Sequence, residues 1–195
     1  MKRVMLVIAG LGIFLLLMAL IVGISIYRGY NHIVQLNEEV NAAWAQVENQ
    51  FQRRADLIPN LVDTVKRYAQ QEEKIFTGIA EARSKIGSSR TPEERLKSED
   101  QLTGFLSRLL MITENYPQLK SDQNFRDLQA QLEGTENRIS VERKRFNDAI
   151  LAYNVYVKRF PGRIYASMAG FEPREFFEAA PESKKVPKVN FGGNP

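Results

Sequence analysis

The chain has no cysteine. Disulfides, thiolate metal sites, a cysteine nucleophile and a lipidated N-terminal cysteine are therefore excluded, while the redox compartment stays open. Histidine is almost as scarce. The single one, His32, stands just beyond a long apolar run. A bundle di-iron site needs two Glu-x-x-His pairs and a zinc protease needs His-Glu-x-x-His, so His32 reads as an interfacial polar residue rather than a ligand. No Gly-rich phosphate loop and no G-x-S-x-G elbow occurs. The acidic pairs Glu38-Glu39 and Glu93-Glu94 are adjacent, and adjacent helical residues do not face each other. They read as solvated faces or helix-start charges. No cofactor, no metal site and no enzymatic activity are expected; the one route left to catalysis is a site assembled from carboxylates on different helices.

An excess of either charge is also missing. The net charge is +4, from 27 basic and 23 acidic residues. Lys2, Arg3 and Arg28 flank the apolar run, which leaves 24 basic residues against 23 acidic ones for the rest. Nucleic-acid binding calls for a concentrated basic face, so nucleic acid is not an expected partner.

Charge is absent altogether from residues 4–26, "VMLVIAGLGIFLLLMALIVGISI". At 1.5 Å per residue, these 23 residues cross a hydrocarbon core of about 30 Å with some tilt. The run is longer than the apolar stretch of a cleaved signal peptide, about 7–15 residues, and lacks an A-x-A cleavage site. It reads as an uncleaved signal anchor of a single-pass protein of the cytoplasmic membrane. Two basic residues precede the span and one follows it, which places the N-terminus in the cytoplasm and the remaining domain outside it.

Beyond the span, apolar residues recur at threes and fours: Ile33, Leu36, Val40, Trp44, Val47 and Phe51. This is helical periodicity. The pattern resumes through Val65, Ile79, Ala82 and Ile86. "GSSRTP" at 87–92 is loop chemistry, and Thr91-Pro92-Glu93-Glu94 reads as an N-cap, a first-turn proline and first-turn acids. Leu96, Leu102, Phe105, Leu109 and Ile112 carry that helix toward Tyr116-Pro117, where the residue before proline resists the α conformation. Ser121 or Asp122 can cap a last helix with the seam Phe125, Leu128, Leu132, Thr135, Ile139, Glu142, Phe146, Ala149, Tyr153 and Tyr156. Its alternation of threes and fours suits a bundle or coiled-coil face. Thr135 and Glu142 interrupt the seam; they either set helix register or mark a buried polar site near Glu142. No segment shows strand alternation.

Pro59 falls inside "QFQRRADLIPNLVDTVKRYA" at 50–69. If it only kinks one helix, residues 30–86 extend about 85 Å. The later helices, 92–115 and 122–158, would reach only about 36 and 55 Å, leaving apolar seam uncovered. A turn near Ala55–Pro59 instead gives segments of comparable length. The expected fold is therefore all-α: an N-terminal transmembrane helix, then an antiparallel up-down bundle. Four helices are favoured, with three long helices and a Pro59 kink as the alternative. The expected organisation is a transmembrane segment at 1–29, a bundle domain at 30–178 and a disordered tail at 179–195.

Two groups of side chains are candidate sites. Arg53, Arg54, Asp56, Asn60 and Asp63 form the densest polar cluster, read either as ties that fix a turn or as a docking surface. Phe160, Arg163, Tyr165, Phe171, Arg174 and Phe176 mix aromatic with basic residues, which suits a membrane interface; the other reading is a cap that closes the bundle end.

The stretch "YNHIVQLNEEVNAAWAQVENQFQRRADLIPNLVDTVKRYA" at 30–69, "TENRI" at 135–139, "YN" at 153–154 and "GFEPREFFE" at 170–178 together resemble the LemA family. The resemblance covers nearly all of the chain beyond the apolar run. Gln71 departs from it, standing where family members often carry histidine. The resemblance implies a membrane-anchored bacterial helical protein and supports four helices. It implies no reaction and transfers no functional residue; one branch of the family is associated with organising magnetosome membranes. The expected function is a non-enzymatic, membrane-tethered scaffold or adaptor. Its expected partners are the lipid bilayer and an unidentified protein or a second copy. The alternative is a membrane-surface organiser binding lipid through the C-terminal aromatic and basic region, and the third reading is an enzyme with a carboxylate site in the bundle core.

Overall fold

The computed structural model describes residues 2–177. The expected tail at 179–195 lies outside the described residues. Within them run α1 (Lys2–Lys66), α2 (Glu73–Ser88), α3 (Pro92–Ile112), the short α4 (Pro117–Ser121), α5 (Gln123–Lys158) and α6 (Gly162–Ala169). The chain divides into two compact units. One comprises the residues up to Ala43 with Arg145–Phe176; the other comprises Trp44–Lys144 with Phe177. The fold is all-α: α1 begins with an apolar stretch and its later part joins α2, α3 and α5 as the packed helices, α4 and α6 being short.

The expected turn at Ala55–Pro59 is not there. α1 runs through Pro59 and ends at Lys66, and the chain turns at residues 67–72. One helix does run through Pro59, as in the alternative arrangement, but it stops at Lys66 instead of continuing to 86, and the count of four helices stands. A proline inside a helix costs about 3 kcal/mol through its lost N–H and its clash with the preceding turn. Ile58, Leu61 and Val65 flank it and are fully buried, each contributing about 1.5–3 kcal/mol. Tertiary packing therefore outweighs the proline. The real turn contains neither glycine nor proline. It is held from outside: the Tyr68 hydroxyl donates to Asp122 Oδ2 at 2.9 Å, and Asp122 Oδ1 caps α5 by accepting from the Phe125 N–H at 3.0 Å.

In this second unit Phe76, Ile79, Ala82 and Ile86 of α2 pack with Leu102, Leu106 and Leu109 of α3 and with Phe125 and Leu132 of α5 in one cluster. α3 begins as expected. Thr91 Oγ1 accepts from the Glu94 N–H, and the Glu94 carboxylate accepts from the Arg90 N–H, a variant of the capping box. α3 stops at Ile112, short of Tyr116, and passes through a 3₁₀ turn at Thr113–Asn115.

In the first unit, Ile33, Leu36 and Val40 of α1, Phe146, Ile150, Tyr153 and Val157 of α5, and Tyr165 and Ala166 of α6 are buried. Side chains from Gly10 to Arg28 are exposed, as lipid-facing residues must be in a chain without its bilayer. This is one helix long and apolar enough to cross a membrane, and the protein is read as single-pass.

Spin labels at the exposed Gln46 and Lys66 should lie about 30 Å apart, 20 residues at 1.5 Å each. A distance near 10 Å, the spacing of packed helices, would restore the turn at Pro59.

Candidate functional site

Two polar constellations stand out, one in each unit. In the second unit, Arg54 and Glu99 occupy seam positions on α1 and α3 that would otherwise be apolar. Arg54 follows Phe51 and precedes Ile58; Glu99 lies between Leu96 and Leu102. Their side chains are 2% and 0% exposed and form an ion pair. Arg54 also donates to Glu136 Oε2 of α5 at 2.7 Å and to Thr103 Oγ1 at 3.0 Å. One guanidinium thus joins three helices. Phe51 lies beneath it: the Arg54 guanidinium is 5.7 Å from the ring centroid and that of Arg143 is 5.6 Å away. Arg143 pairs with Asp100 at 3.1 Å and stands 4.4 Å from the Phe177 ring. Burial pushes the Glu99 carboxyl above the usual carboxylate range, and the adjacent Arg54 guanidinium pulls it back without cancelling the effect.

The first unit carries the other constellation. Gly170, at φ +74°, ends α6 in the left-handed conformation that glycine accommodates best. The chain then returns as an extended strap. The Tyr153 hydroxyl donates to the Glu172 carbonyl at 2.9 Å. The Asn154 amide donates to the Arg174 carbonyl at 2.7 Å and accepts from the Arg174 N–H at 2.8 Å. The Arg174 guanidinium reaches Asn37 at 2.7 Å and Asn41 at 3.1 Å on α1. α6 is fastened to the end of the apolar run by Tyr165, whose hydroxyl shares a 2.6 Å hydrogen bond with Ser25 Oγ. Its ring lies on Gly29, where any Cβ would overlap it.

The polar cluster around Pro59 does not converge. Arg53, Asp56, Asn60 and Asp63 are exposed, and only Arg54 enters the interior. Asp56 accepts from Gln52 within the same helix. With α1 unbroken, these residues have no turn to fix at Pro59. The aromatic and basic group splits as well. Tyr165 is buried, Phe171 is half-buried beside Tyr30, and Arg174 is committed to the strap. Phe160, Arg163 and Phe176 are exposed. Of the seam interruptions, Thr135 is buried and bonds back to the Leu132 carbonyl, and Glu142 is half-buried. Among the described residues the fully buried carboxylate is Glu99, and its pairing with Arg54, a residue of the cluster near Pro59, is what sequence reasoning missed. Its signal was present: two facing seams each interrupted once, by charges of opposite sign. Asn154 and Ser25 carried no comparable signal. Among the described residues no three His, Asp or Glu side chains gather as a metal site.

A sequence profile of the LemA family matches residues 43–191. The chain is 26% identical to magnetosome protein MamQ 2 of Paramagnetospirillum magneticum and 25% identical to magnetosome protein MamQ of Magnetospirillum gryphiswaldense. Each match covers 78% of this chain and 65% of the relative, so the chain spans just under two thirds of the relatives' length.

Arg54→Met should cost about 3–5 kcal/mol, because it leaves Glu99 buried without its cation. The double variant Arg54→Met/Glu99→Leu should recover most of that loss. Glu99 has a raised pKa in the folded state. Its contribution is therefore fully present below its ordinary value of 4.5 and is lost as pH rises through the folded value. Removing Arg54 raises that pKa further, so the deficit of the single variant should narrow on acidification. Thermal unfolding of the full chain in detergent micelles, followed against pH, checks both points. Separately, Gly29→Leu should displace Tyr165 and expose the 160–177 segment to limited proteolysis, while thermal unfolding of the second unit stays unchanged.

Proposed function

The chain belongs to the LemA family, and we propose that it works as a non-enzymatic, membrane-tethered helical scaffold or adaptor. The observation that carries this reading is the use made of its buried polar groups. Arg54, Glu99, Thr64, Thr113, Thr135 and Asn154 are the buried polar side chains of the described residues. Each bonds to helix backbone, to a partner helix or to the strap. Interior chemistry of this kind joins helices. What is left to meet a partner is the surface of a bundle held at the membrane. The partner in this reading is another membrane-associated protein or a second copy, and the similarity to magnetosome proteins fits such a role. The charge margin across the span, two basic residues before it and one after, favours a domain outside the cytoplasm.

A second reading is favoured by one observation. Phe160, in the turn before α6 beside Lys158 and Arg159, is 77% exposed, and Met168, on the helix that Tyr165 ties to Ser25, is 67% exposed. Exposed apolar side chains among basic ones, at the end of a membrane span, suit a membrane-surface organiser.

Crosslinking in native membranes should recover a reproducible protein or self contact; recovering none would overturn the scaffold reading. A cysteine introduced at the exposed Ser88 has no background thiol to compete with it. Its labelling in intact cells by an impermeant maleimide would support the orientation, and labelling only after lysis would reverse it.

A further inference from the structure

The corner where α5 and α6 meet the end of the apolar run holds an open groove of about 490 Å³, lined by Ile21, Ile24, Arg28, His32, Tyr156 and Tyr165 among others. We propose that this groove holds one phospholipid with an anionic headgroup, drawn from the leaflet around it. The inference rests on the membrane-surface reading of the C-terminal region and adds a defined site and ligand class to it.

The lining changes character along the groove. Ile21 and Ile24 belong to the uncharged run and face outward, so they stand at the level of acyl chains. Arg28 lies about 6 Å further along the helix axis. The interfacial layer outside the hydrocarbon is itself about 5–7 Å deep on each side, so the guanidinium reaches the level of lipid phosphates. His32 follows one turn later, its ring set edge-on to Tyr156 with centroids 4.5 Å apart. Aliphatic, then cationic, then aromatic and polar is the order in which a phospholipid presents chain, phosphate and headgroup. Arg28 is exposed, and no carboxylate among the described residues pairs with it. Lys158, Arg159 and Arg163, at the junction of α5 and α6, are exposed, with no acidic residue between 156 and 171. The volume falls within the range of about 300–1,000 Å³ usual for ligand sites. The walls are fixed by structure already described, the Tyr165–Ser25 bond and the ring of Tyr165 on Gly29.

The full chain, reconstituted in nanodiscs of equal phosphatidylglycerol and phosphatidylcholine and then released in mild detergent, should retain one phosphatidylglycerol in native mass spectrometry. Arg28→Gln should lower that retention about fivefold, the effect of one basic residue near an anionic surface. Ile24→Trp keeps the charge but fills the groove and should abolish retention. Equal retention of the two lipids, no retained lipid, or retention unaffected by both variants overturns the proposal. An environment-sensitive probe on Met168→Cys, read for quenching by chain-labelled lipid, separates the two failures. Quenching without retained phosphatidylglycerol rejects the groove alone; no quenching rejects the membrane-surface reading beneath it.

Discussion

A guanidinium that has left water must find both counter-charge and hydrogen-bond acceptors inside the protein, or the site will not stay folded. Arg54 meets most of that condition with groups from two other helices, Glu99 of α3 and Glu136 of α5, while its Nε and Glu99 Oε1 stay without a hydrogen-bond partner. The consequence is a fixed register. Apolar seams repeat every three or four residues, so sliding one helix by a turn exchanges one leucine for another at modest cost. The same slide would carry a carboxylate about 5.4 Å from its partner and leave buried charges unpaired. A single polar layer among apolar ones is a known means of specifying register, and here it also sets where Phe51 and Arg143 can stack. The layer is a weak source of net stability, since desolvation consumes most of the attraction. Its effect is on which arrangement forms.

The first unit reaches a defined geometry by a different route. Asn154 reads the backbone of Arg174 in both directions, as a neighbouring strand would, and the Arg174 side chain then spans to α1. The strap is thus ordered by directional hydrogen bonds rather than by a large apolar payload. Tyr165 completes the arrangement against the smallest residue available, Gly29, one turn beyond Ser25. Because Ser25 lies at the end of the apolar run, the position of α6 along that run is set by tertiary contacts. In the scaffold reading this matters: the height of the C-terminal segment above the lipid does not depend on a flexible connection.

Much of this fold was legible in the sequence, and the exceptions share a cause. The seams of α1, α2 and α5 were visible because burial of Ile33, Leu36, Val40, Ile79, Ala82 and Phe125 imposes helical periodicity. Thr91 and Asp122 were visible as caps because capping is local chemistry. The turn at 67–72 was not visible, because Tyr68 is tied to Asp122 by a bond that spans 54 positions of sequence and the segment itself has no breaker. Pro59 misled for the converse reason: its local preference is strong, and the packing of Ile58 and Leu61 overrides it. On α5 the buried face drifts from Ala149 and Tyr156 to Ile150 and Val157, since 3.6 residues per turn do not match a strict heptad over ten turns. The polar contacts were the least legible. Arg54 was flagged for its company near Pro59, whereas its role follows from its phase in the seam and from a partner 45 positions away.

The distribution of charge connects these structural results to the proposed functions. Beyond the span and its flanks, 24 basic residues stand against 23 acidic ones, and setting aside Lys158, Arg159 and Arg163 leaves 21 against 23, still near balance. Long-range attraction therefore contributes little to what the bundle meets, and partner choice there has to rest on short-range contacts. The end of the span is different. Arg28, Lys158, Arg159 and Arg163 belong to one unit, and the 156–171 segment carries no carboxylate. Electrostatic attraction fades over about 8–10 Å at physiological salt, so a lipid phosphate beside these residues would respond chiefly to this local cluster. In the scaffold reading the bundle meets its partner through short-range contacts, and in the lipid-organiser reading this local basic cluster supplies the attraction.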